Sequence, residues 1–438
     1  MLRSERARIW CALVLIGAAL AGCDEAQDDP LVVPAPAADA SALPEPDARS
    51  EVEPDAVPEP EPDAMPEPDA GEAPYTATLN LPETPYNYAE PDLPQHYMVE
   101  TLGFRAQRAA ILDDNTPADN PTTDLGATLG RVLFYDINLS ANRTVACASC
   151  HEAEFGFSDP RVFSLGFEGG ETERHSMGLT NARFYRNGRF FWDQRAATLE
   201  EQALMPFQDP VEMGMTLDGL LARVAAGDYY PPLFEAAFGD DAITAERIGK
   251  ALAQFVRSMV SYTSRYDAGR ALVADRSQPF PNFTDDENAG KRLFVMPPPL
   301  GGFGCFFCHE GEAFIGIEAT SNGLDAVSED RGYGGVTELP QHEAMFKVPS
   351  LRNVELRGPF MHDGRFATLE EVIEHYSNGV EPNPNLGLPF GVRNGQVIAQ
   401  LNMSAAERRQ LLAFLRTLTD KRMLDDPKFA DPFVREAD

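Results

Sequence analysis

Apolar residues recur along this chain with the period of an α-helix far more often than with that of a strand. In TTDLGATLGRVLFYD, Leu125, Leu129, Val132 and Leu133 fall on one helical face, and in TAERIGKALAQFVRSMVSY, Ile248, Leu252, Phe255 and Met259 do the same. The stretch TLEEVIEHYSNG places Leu369, Val372, Ile373 and Tyr376 at relative positions 0, 3, 4 and 7, which turns the tyrosine inward. Four helix starts carry a hydroxyl residue followed three positions later by glutamate: Thr198 with Glu201, Thr284 with Glu287, Thr368 with Glu371, and Ser404 with Glu407. Sustained period-two alternation is scarce, and runs such as MPPPLGGFG mark long loops. The expected fold is mainly α.

The N-terminal segment breaks this pattern. MLRSERARIWCALVLIGAALAGC carries arginines at 3, 6 and 8, an apolar run from Ile9 to Leu20, and small residues before Cys23, the layout of a secretory signal. The run is shorter than the roughly 20 apolar residues that a membrane-crossing helix needs. Its ending, LAGC, resembles a bacterial lipobox, in which Cys23 becomes the lipidated first residue; ordinary cleavage nearby is the alternative. From about 24 to 75, Pro, Glu, Asp and Ala dominate, with PEPDA at 44–48 and 66–70, a composition that stays extended and builds no core. Of the formal charge of -33, a net -19 lies between Asp24 and Glu100, where 20 carboxylates face Arg49 alone. Nucleic acid is therefore not an expected partner. The division read from the sequence is a signal at 1–22, a disordered acidic tether at 23–94, helical domains at 95–272 and 273–425, and a tail at 426–438.

Cysteine usage narrows the chemistry. Cys11 leaves with the signal and Cys23 takes lipid, so Cys147, Cys150, Cys305 and Cys308 remain as two close pairs with no thiol left for a disulfide framework. In an exported chain, bare thiol pairs would be oxidised unless something occupies them. Cys-x-x-Cys alone would also suit zinc or a redox dithiol. A histidine directly after the second cysteine, in VACASCHEA and in GGFGCFFCHEG, is the attachment signature of c-type haem. Two thiols form thioethers to the vinyl groups and the next residue turns its imidazole under the iron, whereas zinc would need all four thiolates to converge. Cys147, Cys150 and His151 are read as one haem site, and Cys305, Cys308 and His309 as a second. A filled sixth position favours electron transfer, and an open one admits peroxide or oxygen.

Longer motifs carry the reading further: CASCH, RFFWDQRAATLEEQALMPFQDPVEM at 189–213, CFFCH, and VPSLRNVELRGPFMHDG at 348–364. With these, the chain over about 95–425 resembles the bacterial di-haem cytochrome c peroxidase family, which includes the MauG-type enzymes. The resemblance implies two cytochrome c-like domains, a peroxide-reactive N-terminal haem, an electron-transferring C-terminal haem, and a tryptophan between them, which Trp192 matches. Gln202, Pro206 and Glu212 match the family's peroxide pocket. Taken singly, Trp192 reads as a core aromatic, Gln202 as a solvated helix residue and Glu212 as surface. In local terms, Thr198 starts a helix on which Leu199 and Gln202 share a face, and Pro206 is expected to stop it. Glu212 lies between Val211 and Met213; if buried, its pKa should rise. It could then take a proton from one peroxide oxygen and return it to the other, with Gln202 orienting the substrate.

The chain also departs from the family's pattern. Many members carry a capping histidine in the loop after the first haem, but here that place is in SLGFEGG near Phe167. His175 is the nearby alternative, and it aligns better with a calcium-ligating asparagine of the family, which puts the family's interdomain calcium site in doubt and leaves calcium open as a cofactor beside the two haems. The resemblance thus implies a first haem open at rest. Tyr376 aligns with a position that is methionine in ordinary family peroxidases and tyrosine in MauG-type enzymes, and is read as the sixth ligand of the second haem, with Met361 as the alternative. Expected partners are hydrogen peroxide, a small cytochrome c or cupredoxin drawn by its lysines to an acidic surface, and a bacterial membrane through the anchor at Cys23; homodimerisation is left open. The expected location is the periplasm or cell envelope. Alternatives are a MauG-type oxidase acting on another protein or an organic substrate, and a non-catalytic di-haem carrier or sensor.

Overall fold

Helices dominate the chain, as the periodicity requires, and two helix pairs organise it. Asp124–Tyr135 packs on Ala245–Ser258, and Asp285–Val295 packs on Ala405–Arg416. Each crossing is made close by a glycine: a Cβ on Gly130 would sit 2.0 Å from the Ala251 carbonyl oxygen, and one on Gly290 would sit 1.9 Å from that of Gln410. The computed structural model describes residues 75–100, 108–393, 396–398 and 400–434, all inside one compact unit, Pro62–Asp438. The signal, Cys23 and the acidic repeats lie outside the described residues. Among those described, no helix is long and apolar enough to cross a membrane.

Two cores follow from the two pairs. Leu129, Val132, Ile248, Leu252, Phe255 and Met259 are buried in the first, and Phe294, Phe314, Leu411, Phe414 and Leu418 in the second. Leu125, placed by periodicity on the buried face, is 42 % exposed: in this first turn it is Gly126 that faces the partner helix, against Gln254. The four hydroxyl caps form. Thr284, Thr368 and Ser404 close full capping boxes with their glutamates, whereas Glu201 reaches past Thr198 to the amide of Ala197.

Both ends of the described chain fold onto the first core. Residues 75–94, assigned from sequence to the tether, pack against the body: the Tyr75 amide donates to Ala226 O, and Tyr88, 1 % exposed, donates its hydroxyl to Lys428 O. Three tyrosines in this stretch, Tyr75, Tyr86 and Tyr88, supply apolar area that the Pro-Glu-Asp-Ala repeats lack. In the tail, Phe429 is 2 % exposed within the first core, and Phe433 pairs with Leu79. Strand content among the described residues is two short antiparallel ladders, Ala319–Thr320 with Phe346–Lys347 and Gly391–Arg393 with Gln396–Ile398.

Candidate active site

Both Cys-x-x-Cys-His segments fold into the same turn. The amides of Cys150 and His151 return to the Cys147 carbonyl at 3.2 and 3.0 Å, and those of Cys308 and His309 return to Cys305 at 3.2 and 3.0 Å. This tight wrap brings two thiols and an imidazole to the wall of one cavity in each half, of about 570 Å³ around His151 and about 210 Å³ around His309. His151 Nδ1 lies 3.0 Å from Phe157 O, and His309 Nδ1 lies 3.2 Å from Pro349 O. A carbonyl only accepts, so Nδ1 carries the hydrogen and Nε2 keeps its lone pair. Burial pushes both imidazoles below their ordinary pKa, His309 to about 4, which favours the neutral ligand form.

The segments that cover the two cavities repeat one another at a spacing of 170 positions. The Phe190 amide donates to Ala196 O at 3.0 Å, and the Phe360 amide to Phe366 O at 2.8 Å. Phe191 and Met361 both take left-handed backbone, with φ of 67° and 78°. The Ala197 and Ala367 amides donate to Glu201 and Glu371 at 2.9 and 2.7 Å. In this register Gln202 corresponds to Val372, and Pro206 to Tyr376, each lining its own cavity. One cavity therefore presents a ring with no ligand atom where the other presents a phenol. Pro206 does not stop the preceding helix. That helix ends at Gln202, and Pro206 lies in the first turn of Met205–Gln208, where its missing N–H costs nothing.

Glu212 lines the first cavity together with Gln202 and Pro206. Its neighbour Met213 is buried, and the SLGFEGG loop closes over its backbone: the Phe167 amide donates to Glu212 O at 3.0 Å, and a Cβ on Gly166 would collide with Val211 O. Burial, with a smaller push from Asp209, raises the Glu212 carboxyl to about 7, while Arg195 opposes the shift. A carboxyl at that value can both accept and donate a proton near neutral pH.

In the second cavity the predicted face Leu369, Val372, Ile373 and Tyr376 points inward as a group. The helix Leu369–Glu374 continues into a π-helical turn, His375–Gly379, and Tyr376 stacks on Phe390 with ring centres 6.0 Å apart. Burial pushes the Tyr376 hydroxyl up to about 12, so phenolate forms here only against a compensating positive charge. Met361 lines the same cavity. The side-chain amide of Asn322, which sequence reading missed, donates to Met361 Sδ at 3.3 Å and to Tyr376 Oη at 3.5 Å.

Trp192 borders both cavities. Its indole N–H donates to His175 O at 2.7 Å, its carbonyl accepts from the Lys347 amide at 2.7 Å, and its ring meets His362 edge-on at 6.4 Å. His175 is buried beside it, with Nδ1 3.1 Å from Arg161 O and Nε2 3.2 Å from Ser158 Oγ. Its Nδ1 thus faces carbonyls and carries the hydrogen, while Nε2 lies against a serine hydroxyl that itself donates to Ser176 O.

A family model described as di-haem cytochrome c peroxidase matches residues 125–272. The chain is 37 % identical over 304 residues to the methylamine utilization protein MauG of Methylorubrum extorquens, a match that covers 69 % of this chain and 80 % of that protein. The chain belongs to the di-haem cytochrome c peroxidase family. It is also 31 % identical to cytochrome c551 peroxidase of Nitrosomonas europaea, covering 76 % of this chain and 92 % of that one. Among solved structures, it is similar to a MauG-like protein associated with microbial copper homeostasis, with TM-score 0.62, 31 % identity, and coverage of 78 % and 98 %. Family membership makes the protein a haem-dependent oxidoreductase of the di-haem peroxidase type.

The residues fit the haems that the family implies. Four free thiols stand in two pairs beside two histidines whose Nδ1 atoms are already committed to carbonyls. Cys147 and Cys150 would hold one haem and Cys305 and Cys308 the other, with His151 and His309 as proximal ligands through Nε2. Among the described residues no cluster of three His, Cys, Asp or Glu side chains is arranged to hold a further metal ion.

Proposed function

We propose that this protein is an exported di-haem c-type peroxidase that reduces hydrogen peroxide at the His151 cavity with electrons received through the His309 cavity. The observation that carries the reading is the asymmetry of the repeat: Pro206, in the cavity that holds the half-buried Glu212 carboxyl, stands where the second half has Tyr376. When bound, haem supplies the redox-active iron. Around it, Gln202 offers an amide to orient peroxide, and Glu212 takes the proton of the inner oxygen and returns it to the outer one, so that the leaving group departs as water. Two electrons and two protons convert one peroxide to two waters. Tyr376 closes the second site, with Met361 as the alternative ligand, and Trp192 spans the wall between the two. The donor is a small cytochrome c or cupredoxin, and the protein resides in the cell envelope on a lipid anchor at Cys23.

Tyr376 also favours a second reading, oxidation of another protein or of an organic molecule, because an anionic oxygen ligand stabilises the oxidised metal relative to a thioether. A plain electron carrier has no use for a carboxyl and an amide half-buried in the same cavity. Steady-state assays of the purified protein with peroxide and a set of reduced cytochromes and cupredoxins test the proposal. Peroxide-dependent oxidation of a donor supports it; peroxide that only bleaches the haems, with no donor turned over, rejects it.

A further inference from the structure

Six residues border both cavities, and one of them, Lys347, is 4 % exposed. Its ammonium faces the ring of Tyr185 at 4.1 Å and the sulfur of Met177 at 3.7 Å, and no carboxylate among the described residues pairs with it. Arg357, 6 % exposed, lies on the second cavity and comes close enough to act on Lys347, His175 and His309. Its guanidinium donates to Ser350 O, its Nε has no hydrogen-bond partner, and no acid offsets its burial. Gly178, which also borders both cavities, leaves room for it: a Cβ there would sit 2.5 Å from Arg357 Cδ. Arg174, on the same wall, shows the ordinary arrangement, with one carboxylate of Asp193 and both oxygens of Asp330 around its guanidinium.

Two buried cations side by side without an anion are costly, and an aromatic face or a sulfur returns only part of the lost hydration. The wall therefore lacks an anionic component that the described residues do not provide. Haem carries two carboxylate side chains. Resting on the di-haem reading above, we propose that Lys347 and Arg357 are the seat of haem propionates in the wall between the two sites, so that fixed side-chain charge sets the electrostatics there. From protein groups alone, burial and Arg357 hold the Lys347 ammonium down at about 7 and burial holds Arg357 down at about 10; a carboxylate alongside restores both.

The test is spectroelectrochemical titration of both haems in the holoprotein, without peroxide. Loss of a nearby positive charge favours ferric iron. Lys347→Met should lower both midpoints, and Arg357→Gln chiefly that of the His309 haem, each by at least tenfold in the equilibrium constant for reduction, or about 59 mV for one electron. Lys347→Arg, which keeps the charge, should restore them. Wild-type midpoints should not move with a calcium chelator or with added sodium acetate. Two attached haems whose midpoints stay within about threefold in both charge-removing variants would overturn the proposal and leave the di-haem reading standing. A chelator-induced shift would assign the wall to a divalent cation, and a saturable acetate shift would assign it to a free anion; either overturns it. If Lys347→Met fails to fold, Arg357→Gln, read at the His309 haem, carries the same test with the same two outcomes.

Discussion

Replacing Glu212 by glutamine should change stability and turnover in opposite directions, and the structure fixes how the first depends on pH. The carboxyl moves from an ordinary value of 4.5 to about 7 on folding, chiefly through burial. The folded state therefore binds more protons than the unfolded one between those values, so this group's contribution to stability falls as pH rises from 4.5 to 7 and is flat above. A shift of that size corresponds to about 3 kcal/mol. Glutamine keeps the shape without the titration. Glu212→Gln should thus differ from wild type by less than about 1 kcal/mol near pH 5 and be more stable by about 3 kcal/mol near pH 8. Peroxide turnover in the same variant should fall by about 10²–10⁴, the usual contribution of a positioned acid and base. Denaturant unfolding at the two pH values and steady-state peroxide assays measure the two effects. Turnover within threefold of wild type, or a stability gain larger at acid than at alkaline pH, would refute the reasoning.

Three further outcomes follow from the geometry. Tyr376→Met should raise the midpoint of the second haem, whereas Met361→Leu should leave it unmoved; the reverse pattern in a redox titration would make Met361 the ligand. Trp192→Phe keeps an aromatic ring but loses the N–H bonded to His175 O, and rapid-mixing absorbance should show slower equilibration between the haems with both still attached. Gly290→Ala puts a methyl against the Gln410 carbonyl and should cost about 1–3 kcal/mol as overpacking, read by thermal or denaturant unfolding.

The helices were legible because their apolar period and hydroxyl caps are local signals, and the pairs around Leu129 and Phe255 are buried where the period placed them. The two Cys-x-x-Cys-His motifs were equally visible, and each folds into the same turn on the wall of a cavity. Less visible were features set by tertiary packing. Pro206 read as a stop because proline breaks helices, yet in a fresh first turn it is well tolerated. The π turn at Tyr376 has no sequence signature, though the inward face it completes does. Lys347 looks like an ordinary surface lysine in FKVPSLRN, and only the strand pairing with Ala319 and the amide bond to Trp192 bring it into the wall. The repeat itself is a sequence signal: FFWDQRAATLEEQ aligned with FMHDGRFATLEEV sets Pro206 opposite Tyr376.

Phe429 belongs by sequence to the end of the chain and by position to its beginning: it stacks edge-on against Phe157 and lies against Phe255 inside the first core. During synthesis that core stays unroofed until Phe429 has been made, so the leading half cannot mature on its own schedule. A fragment cut near residue 272 would leave those rings facing water. For protein engineering this makes the segment around Phe429, which on paper looks like a harmless place for an insertion or a truncation, part of the keel of the half that carries the His151 cavity.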